Sequence, residues 1–205
     1  MGKHAFSLKT IYLAALTAVF AVSFFAFVAF DLYSQQRQTE QAMLEEARTF
    51  AREMDAVWQF MDNSQSIINN SSSGGYEFKG LHCSVVGKSV GRLFSAGSDY
   101  HIRYTNFDPR SEQDIPDEFE TKALEAFNAD RSVTEYYGVA PFDGEDRFRY
   151  LQALEVDDSC LECHGEPVGE LDITDHAKEG WTLESVGGAI SIVIPLDQQL
   201  SLIHI

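Results

Sequence analysis

Two cysteines and a histidine near the end of the chain have the residue types and spacing for covalent haem attachment. Cys160, Cys163 and His164 form a C-x-x-C-H motif. In this spacing each thiol adds to one vinyl group of haem, and the adjacent imidazole binds the iron. The motif predicts one c-type haem, with Cys160 and Cys163 as its thioether anchors and His164 as the proximal iron ligand.

Two other chemistries use paired cysteines, and the sequence argues against both. Structural zinc normally takes four cysteine or histidine ligands, but the chain has no second C-x-x-C and no H-x-x-x-H. A thioredoxin-like dithiol belongs near a βαβ unit, which the residue pattern does not predict. Three cysteines in 205 residues are also too few, and odd in number, for a disulfide scaffold.

Residue types alone leave the second axial ligand of the iron open. The candidates are one cysteine, three histidines and three methionines: Cys83, His82, His101, His176, Met43, Met54 and Met61. A lone cysteine on an apolar helix face is more often a small buried hydrophobe than a ligand. The choice matters because methionine raises the reduction potential of haem whereas thiolate lowers it.

The N-terminal segment predicts a membrane anchor. Residues 10–30 carry no charge, and about 20 apolar residues span a hydrocarbon core of about 30 Å. Lys3 and Lys9 precede the segment and Asp31 follows it. The positive-inside rule therefore places the N-terminus in the cytoplasm of a bacterial inner membrane, and the haem motif in the periplasm or extracytoplasmic space.

A cleaved signal peptide is the alternative to this anchor. Its apolar region is normally shorter, about 7–15 residues, and ends in a small-residue cleavage site. Residues 27–30 read FVAF and supply no such site, so the sequence favours an uncleaved single span.

Beyond the anchor, the residue pattern predicts one α+β domain. Predicted helices cover residues 34–61, 81–94 and 116–128, and predicted strands cover residues 101–107, 132–139, 147–156 and 188–195. This order is typical of a small antiparallel sheet with helices packed against one side. An apolar stripe on the first helix either packs on this domain or pairs with a second copy in a homodimer.

The predicted organisation has four parts. Residues 1–32 are the cytoplasmic N-terminus and transmembrane anchor, residues 33–70 the long helix, and residues 71–199 the haem domain. Residues 200–205 (LSLIHI) are what one reading frame of a common sequencing-library transposon end encodes, so we expect this tail to be non-native.

The charge balance excludes one class of partner. The net charge is −17, and no basic stripe exists to neutralise phosphates, so nucleic acid is not an expected partner. An acidic face of this kind is ordinarily a solvated surface, although it also suits a basic redox partner.

Several ordered blocks of the soluble part resemble a known family over roughly residues 40–197. The family comprises single-haem, PAS-like c-type sensor domains on the extracytoplasmic side of bacterial membrane signal transducers. The blocks are Cys83 in a helix after a long helix, IRY at 102–104 leading to Pro109-Arg110, PDEFE at 116–120, FRYL at 148–151, CLECHGEP at 160–167, Gly180-Trp181, and GGA at 187–189. One departure is at 110–116, where the family's R-N-P-x-N-x-P reads RSEQDIP.

The resemblance implies a PAS-like fold in which haem lies between the motif histidine and a cysteine carried on a helix. Cys83 matches that cysteine and becomes the expected distal iron ligand. Haem-propionate partners are expected among four arginines, for which a surface salt bridge is the ordinary alternative: Arg103, Arg110, Arg147 and Arg149.

The family's function implies a redox or diatomic-gas sensor whose output module lies outside this fragment, so that the domain itself is not an enzyme. The alternative is a membrane-anchored monohaem cytochrome c for electron transfer, which explains the anchor and the haem equally well. A peroxide enzyme is disfavoured because no distal His/Arg pair can be identified.

Overall fold

The computed structural model describes residues 7–196, which contain five α-helices, a short 3-10 turn (Glu112–Asp114) and four strands. The helices are α1 (Leu8–Asn63), α2 (Gln65–Ile68), α3 (Cys83–Ala96), α4 (Glu118–Ala129) and α5 (Asp158–His164). The strands are β1 (His101–Thr105), β2 (Glu135–Phe142), β3 (Glu145–Glu155) and β4 (Val186–Pro195). The suspected tail at 200–205 and Lys3 lie outside the described residues.

Helix α1 begins in an apolar stretch that is long enough to cross a membrane. A signal sequence near an N-terminus passes the same test of length and composition. The helix continues without interruption to Asn63 because no proline or glycine occurs between its ends. The chain divides into two compact units between Ala42 and Met43, and the second unit contains the sheet and the cysteine motif.

The four strands form one antiparallel sheet in the order β1-β4-β3-β2. Each predicted strand is confirmed in type, although β2 begins three residues later than expected. The turn between β2 and β3 is Asp143-Gly144, with φ angles of +50° and +84°. Positive φ at both positions is what a two-residue hairpin turn requires, so the Asp-Gly pair fixes the pairing of these two strands.

One face of the sheet is covered by the part of α1 that follows Met43. Ile190, Ile192 and Ile194 alternate along β4 and pack with α1. The α1 residues of this core are Met43, Leu44, Ala47, Ala51 and Met54, with Phe50 and Trp58 partly buried against it. The apolar stripe of the long helix therefore packs on its own sheet. A homodimer through this helix stays a prediction, and it would use another part of the helix surface.

The opposite face of the sheet is covered by α4, so the expectation of helices on one side only was wrong. Leu151 and Ala189 point to this face and pack with Leu124 and Phe127 of α4. Strand β4 is buried at every position from Gly188 to Pro195. Its near-continuous apolar run indicates burial on both faces rather than one, because a half-exposed strand alternates with polar residues.

Helix α3 lies unusually close to β1 because two glycines face the strand. A Cβ atom at Gly91 would lie 2.8 Å from the Ile102 carbonyl oxygen. A Cβ atom at Gly87 would lie 3.1 Å from the Tyr104 hydroxyl and 3.2 Å from the Trp58 ring. The helix is thus held tightly at its centre, and this contact positions Cys83 at its first residue.

Candidate functional site

The C-x-x-C-H motif forms the short helix α5, which the sequence reasoning missed. Asp157 caps this helix by accepting hydrogen bonds from the backbone N–H groups of Ser159 at 2.9 Å and Cys160 at 3.1 Å. Residues three apart share a face of a helix, so the thiols of Cys160 and Cys163 lie on the same side. The aspartate in front of the motif was the signal that predicts this helix start.

The His164 side chain is held from two directions. Its Nδ1 lies 2.8 Å from Glu179 Oε2, and its ring stacks on Trp181 at 4.1 Å between centroids and 11° between planes. A carboxylate only accepts hydrogen bonds, so Nδ1 carries the proton and Nε2 keeps the free lone pair. The ring nitrogen available to a metal is therefore Nε2.

The backbone of the motif is fixed to the same segment. The carbonyl oxygen of His164 accepts hydrogen bonds from the N–H groups of Gly180 at 2.9 Å and Trp181 at 2.7 Å. Residues between them fold back through hydrogen bonds such as Asp172 N–H to His176 C=O at 2.8 Å. This return brings residues 179–181 beside a histidine that precedes them by fifteen positions or more.

Arg110 joins the motif to two carboxylates. Its guanidinium donates to Glu179 at 2.6 and 2.9 Å, to Asp172 Oδ2 at 2.7 Å, and to the Cys163 carbonyl oxygen at 2.9 Å. Bidentate Arg–carboxylate pairs of this kind are directional as well as charged. Arg110 thus determines where Glu179 sits, and through it where the His164 ring sits.

The charge states of these carboxylates follow from their partners. Burial alone would raise the pKa of Asp172, but hydrogen bonds from Thr174 and Arg110 lower it below the ordinary value. Burial would also raise the pKa of Glu179, but hydrogen bonds from Arg110 and His164 outweigh this effect and lower it. Both groups are anions at neutral pH, and burial lowers the pKa of His164 so that its ring is neutral there.

The pKa of the Cys83 thiol depends on its burial and on nearby charged groups. Burial first, and then the charges of Asp62 and the two motif cysteines, raise the pKa of Cys83 to about 12. The pKa of Cys160 is raised to about 11, again mainly by burial. All three thiols, those of Cys83, Cys160 and Cys163, therefore hold their protons at neutral pH.

The other candidates for the second axial ligand have different surroundings. Met43, Met54 and Met61 are buried, and the first two belong to the core between α1 and the sheet. His101 packs on the Phe142 ring at 4.9 Å, and His176 Nδ1 lies 3.1 Å from the Thr174 hydroxyl. Burial lowers the pKa of His82, which is next to Cys83, and the charge of His164 contributes in the same direction.

The four arginines expected near haem propionates all have carboxylate partners within the protein. Arg110 pairs with Glu179 and Asp172 as described, and the remaining pairs, each at 2.7 Å, are Arg103 with Glu120, Arg147 with Glu145, and Arg149 with Asp117. Glu120 and Arg149 are both about 1% exposed. Contact of any of these arginines with a propionate stays a prediction.

A bare metal ion finds no ready set of ligands in residues 7–196. Within that range no three His, Cys, Asp or Glu side chains are grouped so that they could hold one ion. The zinc interpretation of the motif thus gains no further ligand from the tertiary structure. Two thiols on one helix turn beside a histidine whose Nε2 is free fit covalent haem attachment better than they fit a bare ion.

Sequence reasoning missed three residues that shape this site: Asp172, Glu179 and Trp181. Trp181 stands in a block that carries the family resemblance, but nothing in its residue type indicates that it stacks on His164. Glu179 and Asp172 are ordinary acidic residues of a loop in sequence terms. Only the turn that reverses residues 165–181 brings them to the histidine and to Arg110.

Comparison with known proteins extends these observations. A family model described as Tll0287-like matches residues 36–195, and no curated protein matches the chain. Among solved structures, the crystal structure of the cyanobacterial heme-protein Tll0287 matches with a TM-score of 0.57 and 17% sequence identity. The match covers 76% of this chain and 96% of that one, and at this identity it shows that the two share a fold.

Proposed function

The chain belongs to the Tll0287-like family, and from this premise we propose that it binds one haem, attached covalently through Cys160 and Cys163. The observation that carries the proposal is the placement of His164. Its Nδ1 is bound to Glu179 and its ring is stacked on Trp181, beside two thiols on one helix turn. The solved structure that shares this fold is, by its title, that of a heme-protein.

Exposed apolar side chains in the segments that carry or follow the thiols support this proposal. Two flank Cys83 in sequence and four occur in the segment after His164: Leu81, Val85, Val168, Leu171, Ile173 and Leu183. Such a concentration of exposed apolar residues is typical of a binding surface. Haem is a large apolar ring, and its binding would remove apolar surface from water.

When bound, haem supplies an iron with two axial positions and a ferric/ferrous couple. We propose His164 Nε2 for one position and Cys83 Sγ for the other. Cys83 is the expected distal ligand because it matches the helix-borne cysteine of the resembling sensor domains. Its placement at the first residue of α3, with a pKa that the charges of Cys160 and Cys163 help to raise, supports this assignment.

The Cys83 thiol has the property that a redox switch requires. With a pKa of about 12, Sγ holds its proton at neutral pH unless a nearby cation stabilises the thiolate. Bound ferric iron would be that cation, and its reduction by one electron from an external donor would favour a Cys83 thiol that has taken up a proton from solvent and left the iron. A released Sγ frees a position for a diatomic gas, which is the input we propose for this domain.

The contact between α3 and α1 would transmit the release of Cys83 Sγ to the rest of the molecule. Gly87 of α3 lies against Trp58 of α1, and α1 also carries the membrane-length apolar segment. We propose that the chain is the extracytoplasmic input of a bacterial inner-membrane signal transducer. The enzymatic output, if the transducer has one, would then lie outside residues 1–205.

The test uses the full chain expressed with a working haem-ligation system. We expect a pyridine haemochrome spectrum of c-type haem that acid acetone does not extract. We also expect a six-coordinate ferric spectrum that changes ligation on reduction, and Cys83→Ala should abolish that change. Ser89→Ala, at a half-buried position of the same helix, is the control and should behave like wild type.

Two outcomes would contradict the proposal at different levels. A colourless protein, or one whose pigment is extracted by acid acetone, contradicts covalent haem binding. A haem with the same two ligands in both redox states, unaffected by Cys83→Ala, contradicts the sensor. That second result favours the electron-transfer cytochrome, because ligand exchange slows electron transfer and a cytochrome keeps its ligands.

A further inference from the structure

The Glu179 carboxylate lies against the ring nitrogen of His164 that faces away from any metal. Its Oε2 is 2.8 Å from His164 Nδ1, and both side chains are partly buried. Histidines that bind metals commonly donate their second N–H to a carboxylate or carbonyl, which sets the tautomer and raises the basicity of the coordinating nitrogen. This chain places a full negative charge in that position rather than a neutral carbonyl.

Arg110 keeps that charge in place. The guanidinium donates to both oxygens of Glu179, through Nε to Oε1 at 2.6 Å and Nη2 to Oε2 at 2.9 Å. It therefore shares Oε2 with His164 and stabilises the anionic form of Glu179. As a result, the proton between the two side chains stays on Nδ1 rather than moving to the carboxylate.

Arg110 is in turn anchored by a carboxylate with no solvent contact. The Asp172 side chain is 0% exposed and accepts from Arg110 at 2.7 Å. Its other oxygen accepts three hydrogen bonds from the turn that follows it, two from Thr174 and one from the His176 N–H. Asp172 is thus held by the turn that follows it. Each step from Asp172 through Arg110 and Glu179 to His164 is a directional hydrogen bond.

From this geometry we infer that Glu179 is a positioning residue for His164, held by Arg110 and Asp172, that makes Nε2 the coordinating nitrogen and makes it a stronger electron donor. The inference rests on the proposed haem site and goes beyond it by assigning the group that tunes the histidine. A stronger donor stabilises the ferric over the ferrous state. Glu179 therefore lowers the reduction potential, in the same direction as a thiolate ligand.

The first test needs no haem and decides whether Glu179 sets the tautomer. In the full chain carrying Cys160→Ser and Cys163→Ser, histidine labelled with ¹⁵N on both ring nitrogens is observed by NMR at pH 7.5. We expect His164 to carry its proton on Nδ1, and Glu179→Gln to lower the Nδ1–H to Nε2–H ratio several-fold, since a neutral acceptor binds the N–H more weakly. A ratio unchanged by Glu179→Gln overturns the inference.

Glu170→Gln is the matched control, because it removes one charge from the same segment. Glu170 pairs only loosely with Lys178, at 3.7 Å, and its side chain is 55% exposed. This variant should leave the His164 tautomer unchanged. Glu179→Asp keeps the charge and should restore part of the ratio, and circular dichroism melts of each variant show that the fold is kept.

The second test measures the reduction potential of the haem-loaded full chain. Removal of a group that hydrogen-bonds a metal-bound histidine typically changes metal affinity by about 10–100-fold. A tenfold loss of preference for the ferric state corresponds to a rise of about 59 mV for one electron. We expect a rise of at least this size for Glu179→Gln and a much smaller one for Glu170→Gln, and equal shifts in the two variants overturn the inference.

The two tests separate failure of this inference from failure of the haem proposal. A wild-type chain that takes up no haem contradicts the proposed function, while the tautomer measurement still decides the role of Glu179. A haem-loaded protein whose potential and tautomer ignore Glu179→Gln leaves the haem proposal intact. In that case the Arg110–Glu179 pair is a structural salt bridge only.

Discussion

The sheet and the segment that carries the cysteine motif are stabilised by different kinds of interaction. The sheet core consists of apolar side chains from β4, β3 and α1, with Ile192, Tyr150 and Phe148 at 0% exposure. Residues 157–181 instead depend on an aspartate cap, a returning turn and the hydrogen bonds of Arg110. Apolar burial is non-directional, whereas these polar contacts are directional.

The difference indicates that global stability and the geometry of the site depend on different residues. The motif cysteines and His164 are only partly buried, so few apolar contacts hold them. Regions with few buried apolar contacts open at lower free energy than the core. We therefore expect core substitutions to lower global stability, and substitutions at Arg110 to loosen the site while the sheet remains folded.

The largest expected effect is in the sheet core. Ile192→Ala removes a fully buried side chain from the centre of β4 and should lower the free energy of unfolding by about 4 kcal/mol, whereas Ile192→Val should cost about 1 kcal/mol. Denaturant unfolding of the full chain in detergent measures both. Equal effects of the two substitutions would contradict the tight packing that we infer.

Arg110→Met should have a smaller global effect and a larger local one. The substitution leaves the buried Asp172 carboxylate without its cation and should cost about 2–3 kcal/mol, toward the low end because Arg110 is 22% exposed. Amide hydrogen exchange at Gly180 and Trp181 should become faster. Their N–H groups bind the His164 carbonyl oxygen, and Arg110 holds Glu179, the residue before them.

Arg147→Met is the control for that experiment. Its partner Glu145 is 69% exposed, and an exposed ion pair contributes less than about 1 kcal/mol. If amide exchange in residues 165–181 responded equally to both substitutions, the motif segment would not depend on Arg110.

Two glycines of the β2–β3 hairpin give a sharper test of backbone conformation. Gly144 has φ of +84°, so Gly144→Ala should destabilise the fold by about 1–2 kcal/mol. Gly138, in β2, has no positive φ and open space around its Cα. Gly138→Ala should be neutral or slightly stabilising in thermal melts, and the reverse order would contradict the turn geometry.

The smallest effect should appear as a pH dependence. Hydrogen bonds from Arg48 lower the pKa of Glu135 in the folded chain, so the pair stabilises the fold above the ordinary pKa of a glutamate. That stabilisation, about 0.5–1 kcal/mol for a pair this exposed, is lost as the pH falls through the lowered folded pKa. Glu135→Gln should flatten the acid limb of a stability curve measured between pH 7 and 3.

Glu118→Gln is the matched control for the pH measurement. Glu118 is almost fully exposed, at 87% of its side chain, and pairs only with Lys122 one helical turn away. The hydrogen bond from Lys122 lowers the pKa of Glu118, but solvent screens this exposed pair, so Glu118→Gln should change the acid limb less than Glu135→Gln does. A flattened limb in the Glu118 variant, but not in the Glu135 variant, would contradict the assignment of this acid sensitivity to the Arg48–Glu135 pair.

Local chemistry explains which elements the sequence predicted well. The Asp143-Gly144 pair indicated its hairpin, and the spacing of Met43, Ala47 and Met54 indicated the buried face of α1. The capping pair Asp117 and Glu120 stands at the predicted start of α4. The placement of α4 on the second face of the sheet was not predicted, because helix pattern alone does not show which side of a sheet a helix covers.

By itself, the sequence determined the C-x-x-C-H motif, an apolar segment of membrane length, and the residue periodicity that indicates helices and strands. These features depend on neighbours along the chain, whose spacing is set by covalent geometry and helix or strand repeat. Only the tertiary structure brought Glu179 to His164, and Arg110 to Glu179, Asp172 and the Cys163 carbonyl oxygen. Those contacts join residues 15 to 69 positions apart, and such long-range contacts between charged groups are decided by how the whole chain packs.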